Sequence, residues 1–328
     1  MSEVSVPLLV IAGPTASGKT EAAMRIAARV GGEIVSADSM QIYREMDVGT
    51  AKPTAEERER VPIHLIDFVP PAQEYNVATF QRDARGVILD IHGRGRLPIL
   101  CGGTGLYVRA VLEHLKFPPV PQTGVSAPTR DASIRQELQQ EAEEFGSERL
   151  HARLAKIDPV SARIISPGDA RRIIRALEVY RLTGQPISAV QAVDEAPSID
   201  YNTARYVLTA PRDVLFDSIE GRVDGMMAAG WLDEMAALRE RGLATSHQSM
   251  QAIGYRHLLE HLDGRRDLAQ TVHLIKRDTR RFAKRQMTWL RRESGFAWLA
   301  PANEFQRRAS IAVMSQGAQR LMRGEDDL

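Results

Sequence analysis

The sequence has little cysteine, no long uncharged run and almost no net charge. Cys101 is the one cysteine among 328 residues, which excludes an internal disulfide and a zinc site built from several cysteines. With 43% hydrophobic and 26% charged residues, the composition is that of an ordinary globular chain. It excludes a disordered chain, a collagen and a disulfide scaffold.

Membrane and secretory segments are not expected either. The longest stretch without a charged residue, 4–18, has 15 residues and contains Pro7, Gly13 and Pro14. A bilayer-spanning helix needs about 20 apolar residues. The N-terminal Met-Ser-Glu lacks the positive flank of a signal peptide. We therefore expect a cytoplasmic protein without a membrane partner.

The net charge of +1 conceals one strongly basic segment. Between Arg265 and Arg292, ten basic residues stand against Asp267 and Asp278, a net charge of +8 in 28 residues. The other 300 residues therefore carry −7. Rows of charge at i, i+4 are typical of a solvated helix face, but few acidic partners are available in this segment. We expect it to bind phosphate groups.

Strands alternate with helices in the first hundred residues. Short apolar runs predict strands at 6–12, 33–37, 64–68 and 97–101, and helical spacing predicts helices at 20–30 and 79–92. This alternation is typical of an α/β protein with a parallel sheet flanked by helices.

A proline-rich stretch interrupts the alternation. Residues 117–128 hold four prolines and no charge, which predicts a linker. Helical spacing then runs from 131 to about 193, and a strand returns at 206–209. We predict a discontinuous core at 1–116 and 201–300, an all-helical insertion at 117–200, and a C-terminal extension at 301–328.

One segment matches the phosphate-binding pattern G-x-x-x-x-G-K-[ST], between a predicted strand and a predicted helix. Glycines let successive N–H groups point into one concavity, Lys19 adds a positive charge, and the Thr20 hydroxyl can ligate Mg²⁺. The match predicts a diphosphate or polyphosphate site with Mg²⁺ and leaves the reaction open. The candidate binding residues are Gly13, Pro14, Thr15, Ala16, Ser17, Gly18, Lys19 and Thr20.

Two polar residues follow neighbouring strands of the predicted sheet. Asp38 follows the second strand, and Thr104 lies in a glycine-rich turn after the strand at 97–101. Because the carboxyl ends of parallel strands face one crevice, both residues should lie near the phosphate loop. Asp38 could act there as a general base, or it could cap a turn. Thr104 could contact a ligand, or the glycines beside it could simply form a turn that leads into a helix.

Eight motifs occur in a fixed order: GPTASGKT at 13–20, SADS at 36–39, DVGTAKP at 47–53, HLID at 64–67, GGTGLY at 102–107, RALEV at 175–179, GYR at 254–256 and KRQMTWLR at 284–291. Together they resemble the bacterial tRNA dimethylallyltransferases, also called tRNA isopentenyltransferases. The resemblance spans about residues 8–292. The chain lacks the guanine signature N-K-x-D and matches other NTPase motifs only weakly. Both observations agree with this resemblance.

The resemblance implies a P-loop NTPase-like sheet with an inserted helical domain that binds tRNA. It implies transfer of the dimethylallyl group of dimethylallyl diphosphate to N6 of the adenosine 3′ to the anticodon, position 37, with release of diphosphate. Asp38 would be the general base, and Thr104 would contact the adenine or the bridging oxygen. Lys19 and Mg²⁺ would hold the diphosphate. Arg222 could join them or form a surface salt bridge.

The resemblance also implies contacts with the anticodon arm of tRNA, and we expect a monomeric enzyme. The matching positions are Asp38, Ser39, Met40, Gln41, Thr104, Arg135, Arg171, Arg172, Ile173, Ile174, Arg175, Gln251, Ala252, Ile253, Gly254, Tyr255, Arg256, Lys284, Arg285, Gln286, Met287, Thr288, Trp289, Leu290 and Arg291. Arg171 departs from the family pattern, which has glutamine there. Three alternatives stay open: an isopentenyltransferase acting on free AMP, a P-loop kinase, and a P-loop binding module without chemistry.

Overall fold

The computed structural model describes residues 5–113, 115, 117, 132–190 and 199–325. It forms two compact units, one made of Met1–Glu113 with Ile199–Leu328 and the other of His114–Ser198. The bounds of the second unit, 114–198, are close to those of the predicted insertion, 117–200. The predicted linker at 117–128 lies, apart from Phe117, outside the described residues.

The first unit is built on a parallel sheet of six strands in the order β3-β2-β4-β1-β5-β6. The strands are β1 Val6–Ala12, β2 Glu33–Ser36, β3 Ile63–His64, β4 Pro98–Gly102, β5 Tyr201–Leu208 and β6 Ala297–Leu299. The predicted fold class is confirmed.

Helices connect and flank the strands. They are α1 Lys19–Val30, α2 Ala55–Arg60, α3 Val77–Gly93, α4 Gly105–Leu112, α5 Ala132–Phe145, α6 Ser147–Ile157, α7 Pro159–Ile164, α8 Ala170–Thr183, α9 Ile187–Val190, α10 Arg212–Ala228, α11 Trp231–Glu240, α12 Tyr255–Leu262, α13 Leu268–Leu290 and α14 Glu304–Met322. A 3₁₀ turn spans Ser249–Gln251. No helix within the described ranges is both long and apolar enough to cross a bilayer.

The central strand β1 explains the two-sided core. Its residues are buried on both faces, as expected for a parallel strand covered by helices. Leu8 and Val10 pack into the cluster that includes α3, whereas Leu9 and Ile11 pack into the cluster with α1 and α14. The sheet edge at the end of β1 therefore presents the phosphate loop from a rigid support.

The third predicted strand, at 64–68, is wrong over most of its length. β3 ends at His64, because Leu65 and Asp67 adopt positive φ angles of 57° and 59°. Asp67 turns toward Lys52 and Arg58 and forms ion pairs of 2.8 and 2.9 Å with them. The apolar pattern predicts a strand here, but the positive φ angles turn the backbone away from the strand conformation.

The C-terminal residues are part of the first unit and do not form a separate extension. β6 adds a strand to the sheet beside β5, and α14 packs against α1, β1 and β5. Small residues on the buried face of α14 permit this contact, since a Cβ at Gly317 would lie 2.2 Å from the Tyr206 hydroxyl. The same face carries Ile311, Met314 and Leu321, which pack into the cluster with α1.

The second unit is all-helical within the described residues, as predicted. Its own core contains Leu138, Leu150, Leu154 and Ile173, which are fully buried. Asp158 joins two helices, because its carboxylate accepts hydrogen bonds from the backbone N–H groups of Ser161 and Ser188 at 3.0 Å each.

Candidate active site

The phosphate loop joins β1 to the N-terminus of α1. Gly13 has no room for a side chain, since a Cβ would lie 2.2 Å from the Leu208 carbonyl oxygen. Gly18 precedes α1 with a φ of 81°, a conformation that favours glycine. The first N–H groups of α1 and its positive dipole end therefore face the space beyond the loop. This geometry suits an anion.

Two cations line the same small cavity beside the loop. Lys19 and Arg222 border a space of about 70 Å³ that Asp38 also lines. Burial lowers the pKa of Lys19, and the nearby Asp38 opposes this shift. Burial lowers the pKa of Arg222 as well, again against the effect of Asp38. Arg222 makes no salt bridge within the described residues, so the alternative of a surface ion pair is not seen there.

Asp38 combines a turn with an open carboxylate oxygen. Its Oδ1 accepts hydrogen bonds from the backbone N–H groups of Met40 at 2.9 Å and Gln41 at 3.3 Å. Its Oδ2 makes no hydrogen bond within the described residues, and the side chain lines both cavities beside the loop. The turn therefore fixes one oxygen and leaves the other able to accept a proton.

Thr104 joins the loops that follow β2 and β4. Its Oγ1 accepts a hydrogen bond of 3.1 Å from the Ser39 backbone N–H, and its own N–H donates to the Ala37 carbonyl at 3.2 Å. It occupies the N-cap position of α4 without capping it through its side chain. Thr104 and Asp38 line one cavity, so the predicted convergence of these two strand ends is present.

A larger cavity of about 310 Å³ continues from the loop and is partly apolar. Its apolar lining includes Ile219, Val223, Met226, Trp231 and Phe282. The sequence does not reveal these residues as part of a site, because on their helices they are indistinguishable from core positions.

A carboxylate from α11 fixes the loop that follows Met46. The Glu234 Oε2 accepts hydrogen bonds of 2.7 Å from both the Asp47 and Val48 N–H groups. Its Oε1 accepts from the Tyr255 hydroxyl at 2.6 Å. Tyr255, predicted to contact tRNA, is thus buried in the support of this loop.

Gln286, another predicted tRNA contact, lies inside the protein. It is only 4% exposed and bridges two loops of the site. Its Oε1 accepts from the Thr15 N–H at 2.9 Å, and its Nε2 donates to the Gly103 carbonyl at 2.9 Å. The amide is therefore engaged inside the protein, where it joins the phosphate loop to the turn before Thr104.

Other predicted tRNA contacts are also buried, although Gln41 and Ala252 line the cavities beside the loop. These are Gln41, Ile173, Ile174, Ala252 and Leu290. Each of these short motifs combines buried side chains, which pack into the core, with exposed side chains. In contrast, Arg171, Arg172, Gln251, Arg256, Lys284, Arg285, Thr288 and Arg291 are exposed.

Several basic residues of α13 find acidic partners, some on α10 and one, Asp278, on α13 itself. Lys276 pairs with Asp224 of α10 at 2.6 Å, and Arg280 pairs with Glu220 of the same helix. Asp278 lies within 3.5 Å of Arg256, Arg277 and Arg281. The described residues offer no ion pair to Lys284, Arg285, Arg291 and Arg292. Free positive charge is therefore concentrated at the C-terminal end of α13.

The second unit contains a groove of about 1130 Å³ lined by Arg135, Arg171, Arg172 and Arg175. Arg135 and Arg175 donate to the Glu178 Oε2 at 2.9 and 2.8 Å. Glu178 is fully buried; its pair with Arg135 joins α5 to α8, and its pair with Arg175 lies within α8. Arg171 and Arg172 lie exposed at the start of α8.

Comparison with known families matches most of the chain. Residues 41–293 match the family described as IPP transferase, and residues 6–67 match the family described as isopentenyl transferase. Tyr43, Asp67, Thr104 and Arg291 all fall within the first of these ranges.

Curated relatives extend over nearly the whole chain. A tRNA dimethylallyltransferase of Pelotomaculum thermopropionicum is 47% identical over 90% of this chain and 91% of its own length. One from Symbiobacterium thermophilum is 49% identical over 90% of both chains.

Solved structures agree with the fold. The tRNA isopentenylpyrophosphate transferase of Bacillus halodurans is 41% identical, with a TM-score of 0.68 over 97% of this chain and 100% of that one. A eukaryotic dimethylallyltransferase acting on tRNA is 26% identical, with a TM-score of 0.76 over 98% of this chain and 80% of that one.

Proposed function

The chain belongs to the family of tRNA dimethylallyltransferases, and on this premise we propose that it transfers a dimethylallyl group from dimethylallyl diphosphate to N6 of adenosine 37 in tRNA. The observation that carries the proposal is the convergence of the phosphate loop, Asp38 and Thr104 on one cavity. A carboxylate beside a phosphate site supports proton removal coupled to departure of a diphosphate.

The reaction forms a bond from adenine N6 to C1 of the prenyl group and breaks the C1–O bond to the diphosphate. The exocyclic amine is a weak nucleophile, because its lone pair is delocalised into the ring. The free Oδ2 of Asp38 accepts the N6 proton as the new bond forms. A positioned base of this kind contributes about 10²–10⁴-fold.

Stabilisation of the leaving group is the second part of the mechanism. The allylic C–O bond breaks with cationic character at carbon, so negative charge develops on the diphosphate. The N–H groups of the loop, Lys19 and Arg222 are positioned to meet that charge. Preorganised donors of this type are worth about 2.7–4 kcal/mol each in other enzymes.

Mg²⁺ fits this donor set. The Thr20 hydroxyl lines the small cavity beside the loop, and a hard oxygen ligand of this kind suits Mg²⁺ together with phosphate oxygens and water. Thr20 would hold the ion. When bound, Mg²⁺ would supply positive charge to the diphosphate oxygens.

Two arguments support tRNA as the acceptor: basic side chains without ion pairs among the described residues, and the low cost of unstacking an adenine in a single-stranded loop. Lys284, Arg285 and Arg291 provide phosphate contacts, and Arg285 also lines the cavity that contains Asp38. In the second unit, Arg171 and Arg172 provide exposed positive charge. An adenine in a single-stranded loop leaves its stack at lower cost than one in a duplex. We propose that the enzyme acts as a cytoplasmic monomer.

The test supplies labelled dimethylallyl diphosphate and Mg²⁺ with unmodified tRNA, AMP or ATP. We expect label in tRNA alone, at the adenosine beside the anticodon. Label in AMP would indicate an enzyme of free nucleotides, and ATP turnover without tRNA would indicate a kinase or ATPase; either result would contradict the proposal. Sedimentation of the free enzyme tests the monomer.

A further inference from the structure

The guanidinium of Arg307 lies against the phosphate loop, although it belongs to the C-terminal helix α14. A Cβ at Gly18 would lie 2.0 Å from Arg307 Nη1 and 3.2 Å from its Cζ. Gly18 therefore makes room for this arginine as well as for the turn. The family motifs found in the sequence end at Arg291, so none of them includes Arg307.

Arg307 has no strong partner inside the protein. Its Nε lies 3.9 Å from the Glu304 Oε2, beyond hydrogen-bond distance, and the side chain is 27% exposed. Neither Nη atom forms a hydrogen bond within the described ranges. Partly buried guanidinium groups are normally paired, so these donors remain available to a ligand.

The electrostatic setting indicates the charge of that ligand. Arg307 lies at the N-terminus of α1, which carries the positive end of the helix dipole, near Lys19. Cations are favoured at helix C-termini and disfavoured at N-termini. A bound anion between the loop and Arg307 removes this repulsion and satisfies the free donors.

The order of strands indicates the side from which Arg307 reaches the loop. On one side of β1, two strands away, β2 leads to Asp38; on the other side, two strands away, β6 leads to α14 and Arg307. Asp38 and Arg307 thus approach the loop from opposite sides. If the reacting carbon lies beside Asp38 and Thr104, the far end of the diphosphate extends toward Arg307.

We propose that Arg307 binds the terminal phosphate of the prenyl diphosphate, an inference that rests on the proposed function of the loop. Its role is to hold the substrate and to receive the charge of the departing diphosphate at the end away from the reacting carbon. The C-terminal helix is then a part of the diphosphate site.

The experiment compares Arg307→Ala with Arg308→Ala. Arg308 is the neighbouring arginine of the same helix, is 75% exposed and pairs with Glu304. Calorimetry with inorganic pyrophosphate and Mg²⁺ measures affinity without any transfer reaction. We expect Arg307→Ala to weaken pyrophosphate binding and to raise the KM for dimethylallyl diphosphate by at least about tenfold, with the KM for tRNA unchanged. Arg308→Ala should change neither.

Dimethylallyl monophosphate identifies the phosphate involved, since it lacks the terminal group. Its inhibition constant should be the same in the wild type and in Arg307→Ala. Equal pyrophosphate affinity in both proteins, or an equal loss with the monophosphate, would overturn the proposal. If Arg307→Ala does not fold, Arg307→Gln decides by the same measurements. Failure of the proposed function would appear separately, as absence of label in tRNA with the wild-type enzyme.

Discussion

Replacing Gln286 by leucine separates support of the active site from tRNA contact. Leucine is similar in volume but removes both amide hydrogen bonds, leaving the Thr15 N–H and the Gly103 carbonyl without this partner. The Gly103 carbonyl is buried, and leaving it without a partner costs about 1–3 kcal/mol of stability; the Thr15 N–H is only partly buried and adds less. For a unit of this size, that loss lowers Tm by at least about 2 °C.

The matched control is Gln270→Leu, the same change at an exposed position of α13. It should alter stability by less than about 0.5 kcal/mol. Calorimetry gives Tm, and filter binding at fixed salt gives the tRNA affinity. We expect Gln286→Leu to lower Tm and kcat while the tRNA Kd stays within about twofold of wild type. A normal Tm with a large loss of tRNA affinity would refute this reasoning and restore Gln286 as an RNA contact.

Three further predictions follow from the geometry. Asp38→Asn should lower single-turnover transfer by about 10²–10⁴-fold with unchanged tRNA binding; near-normal transfer would exclude Asp38 as the base. Arg285→Ala and Arg291→Ala should each reduce the salt slope of tRNA binding by about one, whereas Lys276→Ala and Arg280→Ala, which are ion-paired, should leave it almost unchanged. Hydrogen bonds from Arg94 and His64 lower the pKa of buried Glu33 to about 2. Its contribution to stability is therefore present above pH 4.5 and lost as pH falls toward 2, so urea unfolding should show Glu33→Gln less stable by about 1–3 kcal/mol at pH 7, with the difference vanishing in acid.

The sequence predicts those parts of the fold where a local pattern determines the structure. The buried run of β1, the glycines of the phosphate loop and the helical spacing of the second unit each indicate their element directly. Asp67 marks the limit of this reasoning, because the backbone at Leu65 and Asp67 leaves the strand conformation and Asp67 forms ion pairs with Lys52 and Arg58. Those partners lie 15 and 9 residues earlier in the chain, and the hydrophobic pattern contains no information on them.

The same distinction applies to the site. Asp38 and Thr104 could be predicted together, because the carboxyl ends of parallel strands share one edge of the sheet. Gln286 could not, since its role depends on two backbone groups from separate loops that meet it only in the folded chain. The position of Arg307 at the loop could not be predicted either, because Arg307 lies beyond every recognised motif and reaches the loop through the packing of α14.

The basic helix shows how charge must be counted in three dimensions. The net charge of +1 conceals a charge of +8 over 28 residues. That local charge still overestimates the positive charge that is available to RNA. Acids of α10 neutralise Lys276 and Arg280, and Asp278 is shared by arginines of α12 and α13. Because an ion-paired side chain must break its pair before it contacts phosphate, its net gain from RNA is small. The unpaired cations lie at the end of α13 where Arg285 borders the catalytic cavity, so phosphate binding there would bring the anticodon loop to Asp38.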